Sequence, residues 1–298
     1  MMGWSEADIP DQRGRIAVVT GANSGIGFDT ARALAAKGAR VILACRDPEK
    51  GHQAERRIRA AAPEADVVFM PLDLASLTSI ERFGKDLAVA EPELDILCNN
   101  AGVMMPPLGR TAEGFELQFG TNHLGHFALT GRLLDLLRHG ENARIVSVSS
   151  MAHYWGRIDF DDLNSEKRYN ATRAYGQSKL ANLLFIRELA RRLQARGEPI
   201  VAAAAHPGST RTNLQQHSRL LSALIPFFSQ QPPDGALPTL YAATAPGVHG
   251  GDYYGPGRLL ETMGPPRPAR STFASKDPDS ARRLWEVSER LTGVVFGI

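Results

Sequence analysis

Tyr175 and Lys179 stand four residues apart in "AYGQSKLANLLF" (174–185), the spacing that sets two side chains on one face of a helix. A phenol beside a fixed ammonium is a candidate proton donor with its tuner, because the positive charge favours the phenolate. Alone the pair decides nothing, since many such pairs are surface decoration. Other groups give it weight. The stretch "VSVSSMA" offers Ser147, Ser149 and Ser150 as hydroxyls to hold a substrate oxygen, and strand alternation does not separate the last two. In "GTNHLGH", Gly120, Asn122 and Gly125 interrupt a helical pattern with weak helix formers, which marks a functional irregularity. His123 and His126 beside it read as packing or surface residues and are given no role.

The elements that must position these groups follow from hydrophobic periodicity. Short apolar runs at Arg15–Thr20, Arg40–Cys45, Val67–Met70, Leu94–Cys98, Ala143–Val148 and Ile200–Ala205 read as buried strands. Helical patterns at Gly25–Lys37, Pro48–Ala62, Ser76–Ala88, Gly114–Arg138 and Tyr175–Arg196 alternate with them. Asp47-Pro48 and Asp277-Pro278 are cap-plus-proline helix starts. Repeated βα units imply right-handed crossovers and a doubly wound, Rossmann-type parallel sheet with helices on both faces. No linker or repeat interrupts the pattern, so residues 1–298 read as a single dinucleotide-binding and catalytic domain. Irregular stretches at Met104–Glu113, Met151–Arg173 and Pro207–Pro233 follow strand C-termini, where open α/β sheets bind ligands.

Composition narrows the function classes. With 34 basic and 32 acidic residues the net charge is +2, which gives no electrostatic footprint for nucleic acid. Cys45 and Cys98 lack metal-site or CxxC spacing and read as buried free thiols. The N-terminal stretch has no apolar signal region, and "LLSALIPFF" (220–228) is too short to span a bilayer. The reading is a cytoplasmic protein without a membrane span.

Directly after the first strand comes Thr20-Gly21-Ala22-Asn23-Ser24-Gly25-Ile26-Gly27, then a helix. Glycines there allow a tight turn and close backbone approach, and the helix N-terminus offers free N–H groups to a pyrophosphate. With Asn99-Asn100-Ala101-Gly102 after the fourth strand, Tyr175-x-x-x-Lys179, and Pro207-Gly208 before Thr212, this turn resembles the short-chain dehydrogenase/reductase family from about Arg15 to Tyr254. Stretches such as "NNAGVMMPP" and "NHLGHFALT" are most similar to its retinol dehydrogenase-like branch, which acts on lipophilic alcohols, aldehydes and ketones.

The resemblance implies an NADP-dependent oxidoreductase, with NAD possible, in which Asn122, Ser150, Tyr175 and Lys179 are catalytic. It selects Ser150 over Ser149, puts Asn122 at a helix kink with a proton-relaying water, and has Lys179 bond the nicotinamide ribose. Expected cofactor contacts are Gly21, Asn23, Ser24, Gly25, Ile26, Gly27, Arg46, Asp73, Leu74, Asn99, Ala101, Gly102, Tyr175, Lys179, Pro207, Gly208 and Thr212. Asp73 is expected at the adenine ring, Asn99 facing the cofactor, Asn100 structural, and Thr212 at the carboxamide. Where NAD-specific relatives place an acid after the second strand, this chain has Cys45 and then Arg46, which favours a 2′-phosphate. A lid at about 212–233, bearing Leu220, Leu221, Leu224, Ile225, Phe227 and Phe228, is expected to favour a greasy substrate, with Arg211 and Arg219 the nearby cations. Family members are dimers or tetramers built from the helices bearing Asn122 and Tyr175, so a homodimer or homotetramer is expected. Two rivals remain. A non-catalytic nucleotide sensor would dispense with the Tyr–Lys pair, and a light-driven tetrapyrrole reductase would hold a visible pigment.

Overall fold

The strands assemble in the order β3-β2-β1-β4-β5-β6-β7-β8. These are β1 (Ile16–Thr20), β2 (Arg40–Cys45), β3 (Val67–Pro71), β4 (Ile96–Asn99), β5 (Arg144–Val148), β6 (Val201–Ala205), β7 (Tyr253–Arg258) and β8 (Met263–Pro268). Every neighbouring pair is parallel except β7–β8, which is antiparallel. The computed structural model describes residues 3–210 and 230–298. Thr212 and the expected lid as far as residue 229, with all its large apolar side chains, lie outside the described residues.

Alternation along β1 explains the two layers. Ile16 and Val18 pack into one core with Phe83, Leu129, Leu183 and Trp285. Ala17 and Val19 pack into the other with Leu34, Ile58 and Leu240. The first core lies under α3 (Leu77–Ala90), α5 (Gly125–Arg132), α7 (Ala171–Ala195) and α9 (Pro278–Thr292). The second lies under α1 (Gly25–Ala36), α2 (Pro48–Ala61) and α8 (Pro232–Thr244). A single α/β domain with both sheet faces covered results. Asp47 and Asp277 cap α2 and α9, each accepting two first-turn N–H bonds. Cys45 and Cys98 are buried free thiols, and no helix among the described residues is long and apolar enough to cross a membrane.

Three departures from the expected elements have physical causes. The anticipated helix from Gly114 to Arg138 is four pieces: α4 (Leu117–Phe119), a π turn (Gly120–Leu124), α5, and α6 (Leu134–His139). Gly114 has φ +85°, outside the right-handed helix, so helical geometry begins only after the Glu116 side chain caps Gln118 and Phe119. The helix bearing Tyr175 begins earlier, at Ala171, because Asn170 accepts the Arg173 N–H and supplies a start. β7 and β8 carry Pro256, Pro266 and Pro268, a composition that hides their strand periodicity; Pro266 and Pro268 are tolerated because β8 is an edge strand, and Pro256 lies beyond the last β6–β7 pair, Ala205↔Tyr254.

Candidate active site

The ends of β1, β4, β5 and β6 bring the expected residues to one edge of the sheet. Gly21 has φ +68°, and its N–H donates to the Ala44 carbonyl at 2.7 Å. A Cβ on Gly27 would lie 2.4 Å from Asn100 Nδ2 and 2.5 Å from the Gly21 carbonyl oxygen, so only glycine fits that crossing. Ser24 stands at the α1 N-cap but makes no side-chain cap bond. The first-turn N–H groups of Gly25, Ile26 and Gly27 are therefore left by the side chain for an anion. Tight glycines and an uncapped helix start fit a dinucleotide pyrophosphate.

The loop after β4 is braced against β1. Asn100 Nδ2 donates to the Thr20 carbonyl at 2.8 Å, and the backbone N–H groups of Asn100 and Ala101 donate to Thr20 Oγ1 at 2.9 Å each. Asn100 is thus structural, as expected. Asn99 needs a correction: it is wholly enclosed, and its amide donates to Thr130 Oγ1 on α5 at 2.9 Å. Successive strand residues point to opposite faces, so Asn99 turns into the helix layer instead of facing a cofactor. Asp73 Oδ1 accepts the Ala75 N–H at 3.0 Å in a local turn after β3, and Leu74 beside it is buried. Gly208 has φ +65°, and a Cβ there would meet the Thr262 carbonyl oxygen at 2.4 Å. The Pro207 carbonyl accepts bonds from Thr210 Oγ1 at 2.8 Å and Gln230 Nε2 at 2.9 Å. Thr210 and Gln230 themselves form a parallel bridge across the two ends of the undescribed segment.

Asn122 sits in the π turn, where the Gly125 N–H reaches the Gly120 carbonyl five residues back. Its Oδ1 accepts the Val103 N–H at 2.8 Å, and its Nδ2 donates to the Val103 carbonyl at 3.0 Å and to Ser178 Oγ at 3.0 Å. The widened turn lets one fully buried amide hold both the β4 loop and α7. A Cβ on Gly102 would lie 3.1 Å from Asn122 Oδ1 and 3.6 Å from Lys179 Nζ, which puts Gly102, Asn122 and Lys179 in one cluster.

Across that cluster, Lys179 Nζ donates to the Val148 carbonyl at 3.0 Å and lies 5.7 Å from the centre of the Tyr175 ring. The two serines after β5 part ways. Ser149 is buried and donates to the Lys179 carbonyl at 2.8 Å. Ser150 is half-buried, accepts the Ala152 N–H at 3.2 Å, and faces the Tyr175 phenol closely enough to pull its pKa down. The balance at Tyr175 differs from expectation. Burial pushes the phenol up to about 12 despite Ser150, and burial also pushes Lys179 down to about 8. The ammonium alone does not make this phenol a strong acid; desolvation outweighs it.

Groups not singled out from sequence complete the arrangement. Ser178 Oγ donates to the Tyr175 carbonyl at 2.8 Å while accepting from Asn122, and Asn182 Nδ2 donates to the Val148 carbonyl at 3.2 Å. Ser178 and Asn182 share the Tyr175 helix at three- and four-residue intervals, a signal the sequence carried. His123, as expected, is a packing residue: it lies between Phe119, Phe127 and Phe185, with Nε2 2.9 Å from Ser288 Oγ on α9. Trp285 of α9 packs on both Phe127 and Phe185, so the chain's own last helix covers the helices bearing Asn122 and Tyr175.

A parallel sheet with a glycine-rich first turn and a Ser–Tyr–Lys–Asn set at its strand ends defines a nucleotide-dependent α/β oxidoreductase. Residues 15–221 match the short chain dehydrogenase family model, and the chain belongs to that family. It is retinol dehydrogenase-like and an oxidoreductase acting on CH–OH donors: human retinol dehydrogenase 12 is 46% identical over 286 residues, 94% of this chain and 87% of that protein. A crystal structure of a putative uncharacterized protein from Mycobacterium paratuberculosis superposes with TM-score 0.85 at 44% identity, covering 100% of both chains. A putative short chain dehydrogenase from Shigella flexneri complexed with NADP has TM-score 0.68 at 25% identity, covering 83% of this chain and 98% of that one.

Proposed function

We propose that this protein interconverts a lipophilic alcohol and its aldehyde or ketone with NADP(H). The observation that carries the reading is the convergence of Ser150, Tyr175, Lys179 and Asn122 beside an uncapped α1 N-terminus. Gly21, Asn23, Ser24, Gly25, Ile26 and Gly27 would cradle the pyrophosphate, Asp73 and Leu74 would flank the adenine, and Ala101, Gly102, Pro207, Gly208 and Thr212 would line the nicotinamide side. The bound nicotinamide supplies the hydride in reduction and takes it up in oxidation. Ser150 holds the substrate oxygen beside Tyr175, whose phenol gives that oxygen its proton in reduction and whose phenolate takes it from the alcohol in oxidation. Lys179 holds the ribose and adds positive charge near the phenol, and Asn122 fixes the loop and helix on either side. The Shigella relative, complexed with NADP, supports the cofactor assignment. The name of the human relative, a retinol dehydrogenase, supports a greasy alcohol. A homodimer or homotetramer belongs to this reading.

The pH dependence follows from Lys179. A buried ammonium that loses its proton near about 8 is charged below that pH and neutral above it. Tyr175, held up at about 12, keeps the proton that reduction needs throughout this range. Carbonyl reduction is therefore expected to show kcat/KM flat up to about pH 8 and falling above it. In Lys179→Arg, whose guanidinium stays charged, the falling limb should move to higher pH. A limb that stays in place would detach it from Lys179.

The substrate class is read by a homologous series of straight-chain aldehydes with NADPH. Each CH₂ buried in an apolar site contributes about 0.8 kcal/mol, so kcat/KM should climb up to about fourfold per carbon until the site is filled. A flat series, or preference for small charged substrates, overturns the lipophilic assignment.

A further inference from the structure

His126 lies four residues after Asn122, fully buried, and stands where three parts of the site meet. Its Nδ1 is 3.0 Å from the Asn122 carbonyl oxygen in the π turn. Its Nε2 is 2.9 Å from Thr20 Oγ1, at the end of β1 where the glycine-rich turn begins. Thr20 Oγ1 already accepts the N–H groups of Asn100 and Ala101, the loop after β4.

These contacts settle the tautomer by elimination. A carbonyl only accepts, so Nδ1 carries a hydrogen. Thr20 Oγ1 has both lone pairs engaged by Asn100 and Ala101, so it has only its own hydrogen left to offer. That hydrogen has two acceptors in reach, Nε2 at 2.9 Å and the Cys98 carbonyl at 3.3 Å, and the nearer is Nε2. An imidazolium would put an N–H against a hydroxyl with no lone pair free. The ring is neutral, with hydrogen on Nδ1 and a lone pair on Nε2. Burial and the nearby Lys179 charge act in the same direction, pushing His126 down to about 4.

We propose that His126 is a positioning residue that ties the π turn bearing Asn122 to the cofactor-side end of β1, through Nδ1–H on the Asn122 carbonyl and the Thr20 hydroxyl on Nε2. The unbroken path runs Asn122 carbonyl, His126 ring, Thr20 hydroxyl, Asn100 and Ala101 N–H groups. It couples the π turn, whose Asn122 side chain holds Val103 and Ser178, to the end of β1 and the first residues of the loop after β4. Hydrogen bonds in such a chain also polarise one another. His123, three residues earlier, belongs to the aromatic core and takes no part in this path.

The inference rests on the proposed oxidoreductase reading, and two measurements keep their failures apart. The first needs no activity. In the full-length protein labelled with ¹⁵N-histidine, with NADPH bound, His126 should show the neutral Nδ1–H pattern between about pH 5 and 9, while an exposed histidine titrates near 6.5. A His126 that titrates in that window, or that carries its hydrogen on Nε2, overturns the link whatever the enzyme does. The second is kinetic. His126→Leu cuts the path and should lower kcat about tenfold, the size of one buried hydrogen bond. Thr20→Val cuts it too and also strands the Asn100 and Ala101 N–H groups, so it should cost at least as much. Because Thr20→Val already cuts the path at His126, the double variant should be about as slow as Thr20→Val alone rather than slower by the product of the two losses. His126→Asn keeps an N–H donor near the Nδ1 position and should recover part of the loss. Multiplying effects in the double variant, or kcat unchanged while only the melting temperature falls, reduces His126 to a packing residue. A wild-type protein inactive on lipophilic carbonyls with NADPH overturns the functional reading instead, and the nitrogen shifts still decide the link.

Discussion

Tyr175→Phe is expected to lower carbonyl turnover about a hundred- to ten-thousand-fold while leaving NADPH binding nearly unchanged. Tyr175 is buried, so the phenylalanine ring keeps its packing and loses only the hydroxyl that faces Ser150. Lys179 is held by the Val148 carbonyl rather than by the phenol, so the ammonium stays where it is when the hydroxyl goes. The loss should therefore fall on kcat, with the cofactor dissociation constant, read by quenching of intrinsic fluorescence, moving little. Near-native turnover in this variant would remove Tyr175 from the proton-transfer step. A large loss of NADPH affinity would instead mean that the hydroxyl helps to hold the cofactor.

Arg46→Ala is expected to cost about ten- to a hundredfold in kcat/KM with NADPH and little with NADH, because a charge-assisted bond to a phosphate contributes roughly 1.5–3 kcal/mol. Arg46 follows β2 directly, and the register Thr20↔Ala44 sets that strand end beside the glycine-rich turn. Its side chain is exposed and makes no ion pair or hydrogen bond among the described residues. The adjacent carboxylate, Asp47, is engaged: it accepts the N–H groups of Glu49 and Lys50 and pairs with Lys50 Nζ at 3.2 Å. It is thereby poorly disposed to accept bonds from a ribose hydroxyl. Steady-state kinetics with both cofactors check this. If NADPH preference survives in Arg46→Ala, the discrimination lies elsewhere in the site.

Much of the fold was legible because burial on both faces writes itself into composition. The six core strands are near-continuous apolar runs, and β2 spans Arg40–Cys45 as its hydrophobic run does. Helix starts were legible where a cap and a proline coincide, as at Asp47-Pro48 and Asp277-Pro278. β7 and β8 were not, since their glycines and prolines carry turn chemistry, and only their place at or beside the sheet edge makes those residues acceptable in a strand. In the site, residue type and spacing picked out the Tyr–Lys pair, the glycine turn and the weak helix formers around Asn122.

By itself the sequence determined which side chains are the candidates for chemistry and which element each one follows, since periodicities of 2 and 3.6 assign elements without any knowledge of neighbours. Only the tertiary structure decided what those side chains touch. Ser149 and Ser150 are chemically identical and adjacent, yet the strand end turns one onto the Lys179 carbonyl and the other toward the phenol. Asn99 and Asn100 are likewise alike, and strand alternation buries the first against Thr130 while the second braces Thr20. The acidity of Tyr175 follows the same rule: an i+4 lysine predicts a lowered pKa, but burial, which no local window records, moves it to about 12. His126 gains its partners from β1, more than a hundred residues earlier in the chain, because hydrogen bonds and desolvation depend on distance in space, and sequence spacing measures distance only within one element.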